Sequence, residues 1–458
     1  MNTALRSPIA IEEFDRSYFQ QETDEVFALP PECFTSEEFF QFELNAVWKK
    51  QWFCVGRATD IPNAGDFFTF DVGNDALFAI RTREGGINVL SNVCRHRNML
   101  LLEGAGNVRR ISCPLHAWVY NMEGELVSAP GLTDTGASFD PKSVCLPKIR
   151  AEVWEGFIFI NYDAMAPALH TRLGNLGKQL ANYRMSELKS SEPLKMESFD
   201  WNWKIFNDEC YHCSFLHASS WGGMYETNPD RVDETAVFND VAKGIVSYNL
   251  LSTHKDAAPT HTGSILQPPM DGLTDQERTQ LSYVTVAPNL LLVAMPDKVK
   301  YFMWLPKSAK QSTYGVSWMY PQETLEREDH KEKFDQEHDD LYPVMIEDLF
   351  AWRRSHQGMQ SNFASRGRLT NEELVIKRLQ NWLIDLYRAE ERRVDEQSRV
   401  LPIRAIACSN AAPLPNCKSE DSIKLRCWHS MAKAIVPPAL LSGAGIRRIR
   451  SRRHGARP

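Results

Sequence analysis

Apolar positions in "TSEEFFQFELNAVWKKQW" recur at helical spacing. Phe40, Leu44 and Val47 form one stripe and Thr35 with Glu38 makes a capping-box pattern, so a helix is predicted near the N-terminus. From Trp52 to about Tyr162 the texture changes. Short apolar runs such as "DFFTF", "ALFAI" and "GFIFINY" alternate with Gly, Asn and Asp turns, which predicts a small all-β unit. Further on, "VKYFMWLP" and "STYGVSWMY" read as two strands joined by a polar turn, with Tyr314, Val316, Trp318 and Tyr320 on one face. The long intervening stretch "HKDAAPTHTGSILQPPMDGLTDQERTQ" has the composition of a loop, and loops of that length are often lids or disordered. A helix is expected to start near Pro343 in "LYPVMIEDLFAWRRSHQGM", and another to run through "NEELVIKRLQNWLIDLYRAEERR".

These patterns divide the 458 residues into a helical segment over 1–50, an all-β unit over 51–162, a mixed helix-and-strand region over 163–400 and a tail over 401–458. The fold class expected is α+β. The tail lacks sustained periodicity and holds 11 Lys and Arg against 2 acids, which reads as a basic, disordered extension. Its +9 leaves −16 of the overall −7 on residues 1–400, so nucleic acid is not expected as a partner of the body. No run of about 18 apolar residues occurs and the N-terminus lacks a secretory pattern, so the expected location is cytoplasmic, away from membranes. In that reducing compartment the ten cysteines are expected as thiols or metal ligands rather than disulfides.

The β unit contains "CRHR" and "CPLHAW", that is Cys94-x-His96, sixteen residues, then Cys113-x-x-His116. Two close Cys/His pairs suit either one tetrahedral zinc or a dinuclear site. In a tight C-x-H turn the Cys and the His face two different metals more naturally than one, as a Rieske [2Fe-2S] cluster requires. The segment "NVCRHRNMLLLEGAGNVRRISCPLHAWVYNMEGEL" resembles the Rieske segment of the large subunit of Rieske non-haem iron oxygenases, the aromatic-ring-hydroxylating family. Leu115 stands where that family often has an aromatic residue. Rieske electron carriers of respiratory complexes would have bracing cysteines at the positions of Met99 and Leu115, which this chain does not.

The resemblance extends to "NDECYHCSFLH", where Glu209, His212 and His217 match the family's carboxylate-x2-His-x4-His motif. Along a helix Glu209 and His212 share a face, about 300° apart, whereas His217 falls about 140° past His212, so a bulge or helix end is expected between the histidines. Cys210 and Cys213 are read as small apolar residues, because no second Cys pair lies nearby. By the same resemblance Asp348 completes a two-His, one-carboxylate iron site, with Glu347 and Asp340 as weaker candidates. Glu209 is implied to join a cluster histidine, His116, to an iron histidine, His212, and so to act in catalysis without binding metal.

The family further implies a helix-grip catalytic domain with an antiparallel sheet and long helices. Its cofactors are a Rieske [2Fe-2S] cluster and one mononuclear Fe(II), with electrons from NAD(P)H through a separate flavin or iron-sulfur reductase, with or without a ferredoxin. A homotrimer, with or without a small β subunit, is implied because the joined metals usually come from neighbouring subunits. The activity implied is hydroxylation of an aromatic small molecule. Oxidative demethylation or hydroxylation of a quaternary ammonium compound is the alternative, since the "ECYHC" string is similar to that of family members acting on such amines.

Overall fold

The computed structural model describes residues 5–17, 25–131, 143–209, 232–233, 240–370 and 373–400, and Met1–Pro402 form one compact unit. The expected tail, and the histidines and cysteines between 210 and 217, lie outside the described residues. Near the start, α1 (Glu37–Glu43) continues into a wider turn, Leu44–Trp48. Its cap is Ser36, whose hydroxyl accepts the Phe39 N–H at 3.2 Å, rather than the expected Thr35, whose hydroxyl donates to Pro31 O. The reason is local: Glu32–Thr35 already forms a helical turn, and the chain extends only at Ser36, where ψ is 125°.

The β-rich region is built on a seven-stranded sheet in the order Phe53–Arg57, Phe157–Asn161, Lys148–Trp154, Ile87–Ser91, Asp75–Arg81, Asp66–Val72 and Ala105–Asn107. A separate three-stranded sheet, Ile111–Ser112, Val119–Tyr120 and Leu126–Ser128, carries the second Cys/His pair between its first two strands. Phe78, Ile80, Leu90, Trp118, Tyr120 and Leu146 pack between the two sheets around Cys94 and Cys113.

The second half is an eight-stranded antiparallel sheet whose main strands are β1 (Ile245–Leu251), β2 (Gln280–Val286), β3 (Leu290–Ala294), β4 (Val299–Ser308) and β5 (Gln311–Tyr320). Two long helices accompany it, α3 (His330–Met359) and α4 (Leu374–Val400), after a short helix α2 (Ile205–Glu209). Period-two alternation separates the faces of the sheet. On the outer face Leu292, Tyr301, Met303 and Met319 are sealed beneath Leu169, Leu173 and Leu176. On the inner face Tyr248, Leu291, Val293 and Trp304 join the core that includes Trp352 of α3 and Trp382 of α4.

The structure differs from the expected helix start, because α3 begins at His330 and runs through Pro343. A proline inside a helix removes one backbone donor and crowds the carbonyl four residues earlier. Here Pro343 and Asp339 are both exposed, so the carbonyl that loses its donor lies on the side of the helix open to solvent. The stretch from His254 to Gln276 is irregular as expected, but it is not a detached lid: Ala257, Ala258, Thr260 and Gln267 are buried, and Gln267 Nε2 donates to His330 O at 3.1 Å.

Distant segments are tied together at Glu43. Its Oε2 accepts from Trp203 Nε1 at 2.7 Å and from Lys204 Nζ at 2.9 Å, and its Oε1 accepts the Tyr387 hydroxyl of α4, with Glu43 and Lys204 both fully buried. Removing one member of such a pair strands a charge in the core. Glu43→Ala is therefore expected to destabilise the chain by about 3–5 kcal/mol, read as a lowered midpoint in urea denaturation; a midpoint unchanged from wild type would show that Lys204 finds another counter-charge.

Candidate metal centres

Both Cys/His pairs sit in loops of the same construction. In the first, closed by the Val93–Leu100 bridge, Cys94 N–H donates to Met99 O at 2.8 Å and Asn98 N–H to Cys94 O at 3.1 Å, with Asn98 at φ 57°. In the second, Cys113 N–H donates to Trp118 O at 2.7 Å and Ala117 N–H to Cys113 O at 3.0 Å, with Ala117 at φ 54°. Each loop thus ends in a left-handed residue four places after its cysteine. Asn tolerates that conformation, whereas for Ala it costs about 1 kcal/mol. Two sequences unlike in spacing, C-x-H and C-x-x-H, are bent to one shape.

The result is a sorted donor set. Cys94 and Cys113 are buried and His96 and His116 are exposed, with their imidazole rings 4.7 Å apart. Trp118 stacks flat on His96 at 4.7 Å and 7°, fixing the plane of that ring. Arg95 N–H donates to the Tyr120 hydroxyl oxygen at 3.0 Å, which leaves the hydroxyl proton for Cys94 Sγ at 3.4 Å. Burial opposes charge on the Cys94 thiol. Hydrogen bonds from Tyr120, the His96 backbone, the Cys113 thiol and the Arg97 backbone outweigh it and hold the thiol below its ordinary pKa. Cys54 shows the contrast, because burial with weaker compensation pushes its thiol up to about 12.

Among the described residues no three His, Cys, Asp or Glu side chains converge as ligands of a single ion. One tetrahedral zinc would need all four donors at one point. Two buried sulfurs beside two exposed imidazoles instead fit a cluster with thiolates on one iron and imidazoles on the other. Neither Trp118 nor Tyr120 stood out in the sequence, although their places five and seven residues after Cys113 put one just before and the other on the strand leaving the loop.

The second centre is described from one side. In α3 the buried positions Glu337, Leu341, Val344, Trp352 and His356 form a core-facing stripe, and Asp348 falls on it one turn before Trp352. A carboxylate on such a stripe calls for a charged or polar counterpart. Trp352 packs edge-on to Phe206 of α2 at 5.0 Å, and Phe206 stacks on Tyr314 of β5 at 4.4 Å and 4°. Glu209 is the last residue of α2, three after Phe206; its side chain, like His212 and His217, lies outside the described residues. Asp340 takes part elsewhere: its carboxylate accepts the His261 N–H at 3.0 Å and pairs with His261 Nδ1 at 2.8 Å.

Comparisons with known proteins point the same way. A model of the Rieske [2Fe-2S] domain matches residues 51–144, and one of the ring hydroxylating alpha subunit (catalytic domain) matches residues 181–389. The glycine betaine monooxygenase oxygenase subunit of Pseudomonas aeruginosa (strain UCBPP-PA14) is 32% identical over 198 residues, covering 42% of this chain and 46% of that protein. The benzene 1,2-dioxygenase subunit alpha of Pseudomonas putida is 31% identical over 193 residues, covering 40% and 43%. The chain thus spans less than half the length of these curated relatives. The crystal structure of the quaternary ammonium Rieske monooxygenase CntA in complex with L-carnitine shares the fold, with TM-score 0.64, 22% identity and coverage of 80% of this chain and 96% of that one.

The Tyr120 contact makes a measurable prediction. Its hydroxyl favours negative charge on Cys94, and a reduced cluster carries one more negative charge than an oxidised one. Tyr120→Phe is expected to lower the cluster's midpoint potential by roughly 30–60 mV, as loss of about one hydrogen bond implies. Redox titration followed by electron paramagnetic resonance checks the value, and an unshifted midpoint would remove Tyr120 from the tuning of the centre.

Proposed function

Since the chain belongs to the Rieske non-haem iron oxygenase family, we propose that it is the terminal oxygenase of a multicomponent system. In this reading residues 51–162 form the Rieske domain and 163–400 the catalytic domain. Cys94, His96, Cys113 and His116 hold the [2Fe-2S] cluster, and His212, His217 and Asp348 hold the mononuclear iron. The observation that carries the proposal is the pair of like-shaped loops sorting two buried thiols from two exposed imidazoles. When bound, the cluster and the iron supply electron transfer and dioxygen activation.

The chain's own residues position and insulate. Trp118 fixes the His96 plane, Tyr120 bears on the Cys94 sulfur, and Glu209 is assigned to orient His116 and His212 by hydrogen bonding, as carboxylates beside metal-bound imidazoles do. We assign the Glu209 link to a contact between subunits of a homotrimer. Supporting this, His96 and His116 open to solvent beside Met99, Leu100 and Leu115, exposed by 39%, 52% and 48%, an apolar rim suited to a second copy. Electrons are assigned to a separate NAD(P)H-linked reductase. Among the described residues no helix is long and apolar enough to cross a membrane.

For the substrate we place oxidation of a quaternary ammonium compound ahead of aromatic hydroxylation, reversing the order drawn from the sequence. The similarity to a glycine betaine monooxygenase subunit and to CntA supports this. The similarity to a benzene dioxygenase subunit keeps ring hydroxylation as the second reading.

Two measurements test the proposal. Purified protein is expected to carry about three irons per chain, and His212→Ala about two, with the cluster's visible absorbance kept; equal iron in both would unseat His212 as a ligand. With a reductase, NADH-dependent oxygen uptake coupled to product is expected for betaine-type amines rather than benzoate-type aromatics, and to fall at least about 100-fold in Glu209→Gln.

A further inference from the structure

The outer face of α3 is built unlike that of an ordinary surface helix. Tyr342, Ile346 and Phe350 recur every fourth residue and stand 51%, 45% and 65% exposed, so three large apolar side chains form one stripe. Asp348, two residues after Ile346, lies about 200° round the helix from it, on the core-facing side. Single apolar side chains are normal on a surface, but a run of them along one helical face marks a place that another surface covers. The polar residues that end the stripe differ in sign. Asp339 precedes Tyr342 by three residues and Arg353 follows Phe350 by three; both are exposed, and neither is ion-paired among the described residues.

This pattern has a centre. Counted from Ile346, Tyr342 and Phe350 lie four residues to either side, and Asp339 and Arg353 seven to either side. At the pitch of an α-helix all five fall within about 80° of arc. A second α3 laid antiparallel over the first, with a twofold axis at Ile346, therefore sets Tyr342 opposite Phe350 and Asp339 opposite Arg353, each pair occurring twice. A parallel arrangement would set Asp339 against Asp339 instead. Pro343 adds to the match, because it leaves the Asp339 carbonyl without its helical donor on the exposed side of the helix. The guanidinium that arrives opposite carries five N–H donors, enough to serve that carbonyl together with the Asp339 carboxylate.

We propose that the outer face of α3 is a docking surface for α3 of a second copy of this chain, packed antiparallel about a twofold axis at Ile346. From Asp339 to Arg353 the contact runs about 21 Å along the helix, within the reach of two helices packed side by side. It is separate from the subunit link assigned to Glu209 and doubles whatever assembly that link makes. A homotrimer would pair into a particle of six chains with threefold and twofold symmetry, in which three α3 contacts act together and a contact too small to hold alone becomes stable. Each α3 is then backed on its outer face by its twin, as its inner face is backed by the core.

Sedimentation velocity of the holoprotein over a dilution series tests the contact in wild type, Ile346→Asp, Asp339→Arg, Arg353→Asp and the double variant with both charges reversed. Wild type is expected as a particle with an even number of chains, and Ile346→Asp as one with half that number. Either single reversal sets like charges together twice and is expected to raise the dissociation constant of the pairing at least about tenfold. The double variant restores opposite signs and is expected to recover wild-type pairing, a gain that misfolding does not produce. An odd number of chains in wild type, an undivided particle in Ile346→Asp, single reversals that pair like wild type, or a double variant that stays apart like the singles would each overturn the contact. The particle left by Ile346→Asp reports on the Glu209 link separately: three chains keep the trimer, and any other number sinks the trimer while the α3 contact stands.

Discussion

Three segments far apart in the sequence meet on one buried carboxylate. Glu43 ends α1, Trp203 and Lys204 lead into α2, and Tyr387 belongs to α4, so the segment that presents Glu209 is held at its root by the oldest rule of protein interiors: a charge taken out of water has to be met. The aromatic packing beyond it, from Phe206 through Tyr314 to Trp352, then fixes the distance between α2 and α3. The candidate iron ligand Asp348 inherits its place from that chain of contacts. A second buried ion group, in which Lys298 lies 2.9 Å from both Asp297 and Glu337, secures the far half of α3 against the turn before β4.

In the β-rich half the governing constraint is backbone geometry. The loops at Cys94 and Cys113 close with the same pair of hydrogen bonds and the same left-handed residue, although their histidines stand two and three places after the cysteine. That one-residue difference carries the two imidazoles together on the exposed side while the sulfurs remain in the core. Sorting donors by burial gives the Cys94 sulfur the hydrogen bond of Tyr120 and leaves the imidazoles exposed.

Much of this was legible in the chain. The paired Cys/His spacings announced the cluster loops, and strict alternation announced the hairpin of β4 and β5 with Tyr314, Val316, Trp318 and Tyr320 on one face. Helix limits were less so. The start of α3 was misplaced at Pro343 because proline usually marks a first turn, and only its solvent-facing position shows why it is tolerated inside. Thr35 and Ser36 are equivalent as caps in sequence, and the preceding turn decides between them. Glu43 was invisible for a different reason: a charged residue in an amphipathic pattern looks solvated, and its burial depends on partners 160 and 344 residues away, Trp203 and Tyr387.

The pleat of β4 assigns neighbouring residues to different tasks. Odd positions such as Tyr301 and Met303 close the sealed face, where a change of volume is felt by the whole fold, whereas Phe302 on the opposite face stays half-buried. Substitutions along this strand therefore fall into two groups of unequal cost, those at 301 and 303 disturbing close packing and those at 302 meeting room to adjust. A strand of this kind lets a lineage vary one side without reopening the problem of how to fold.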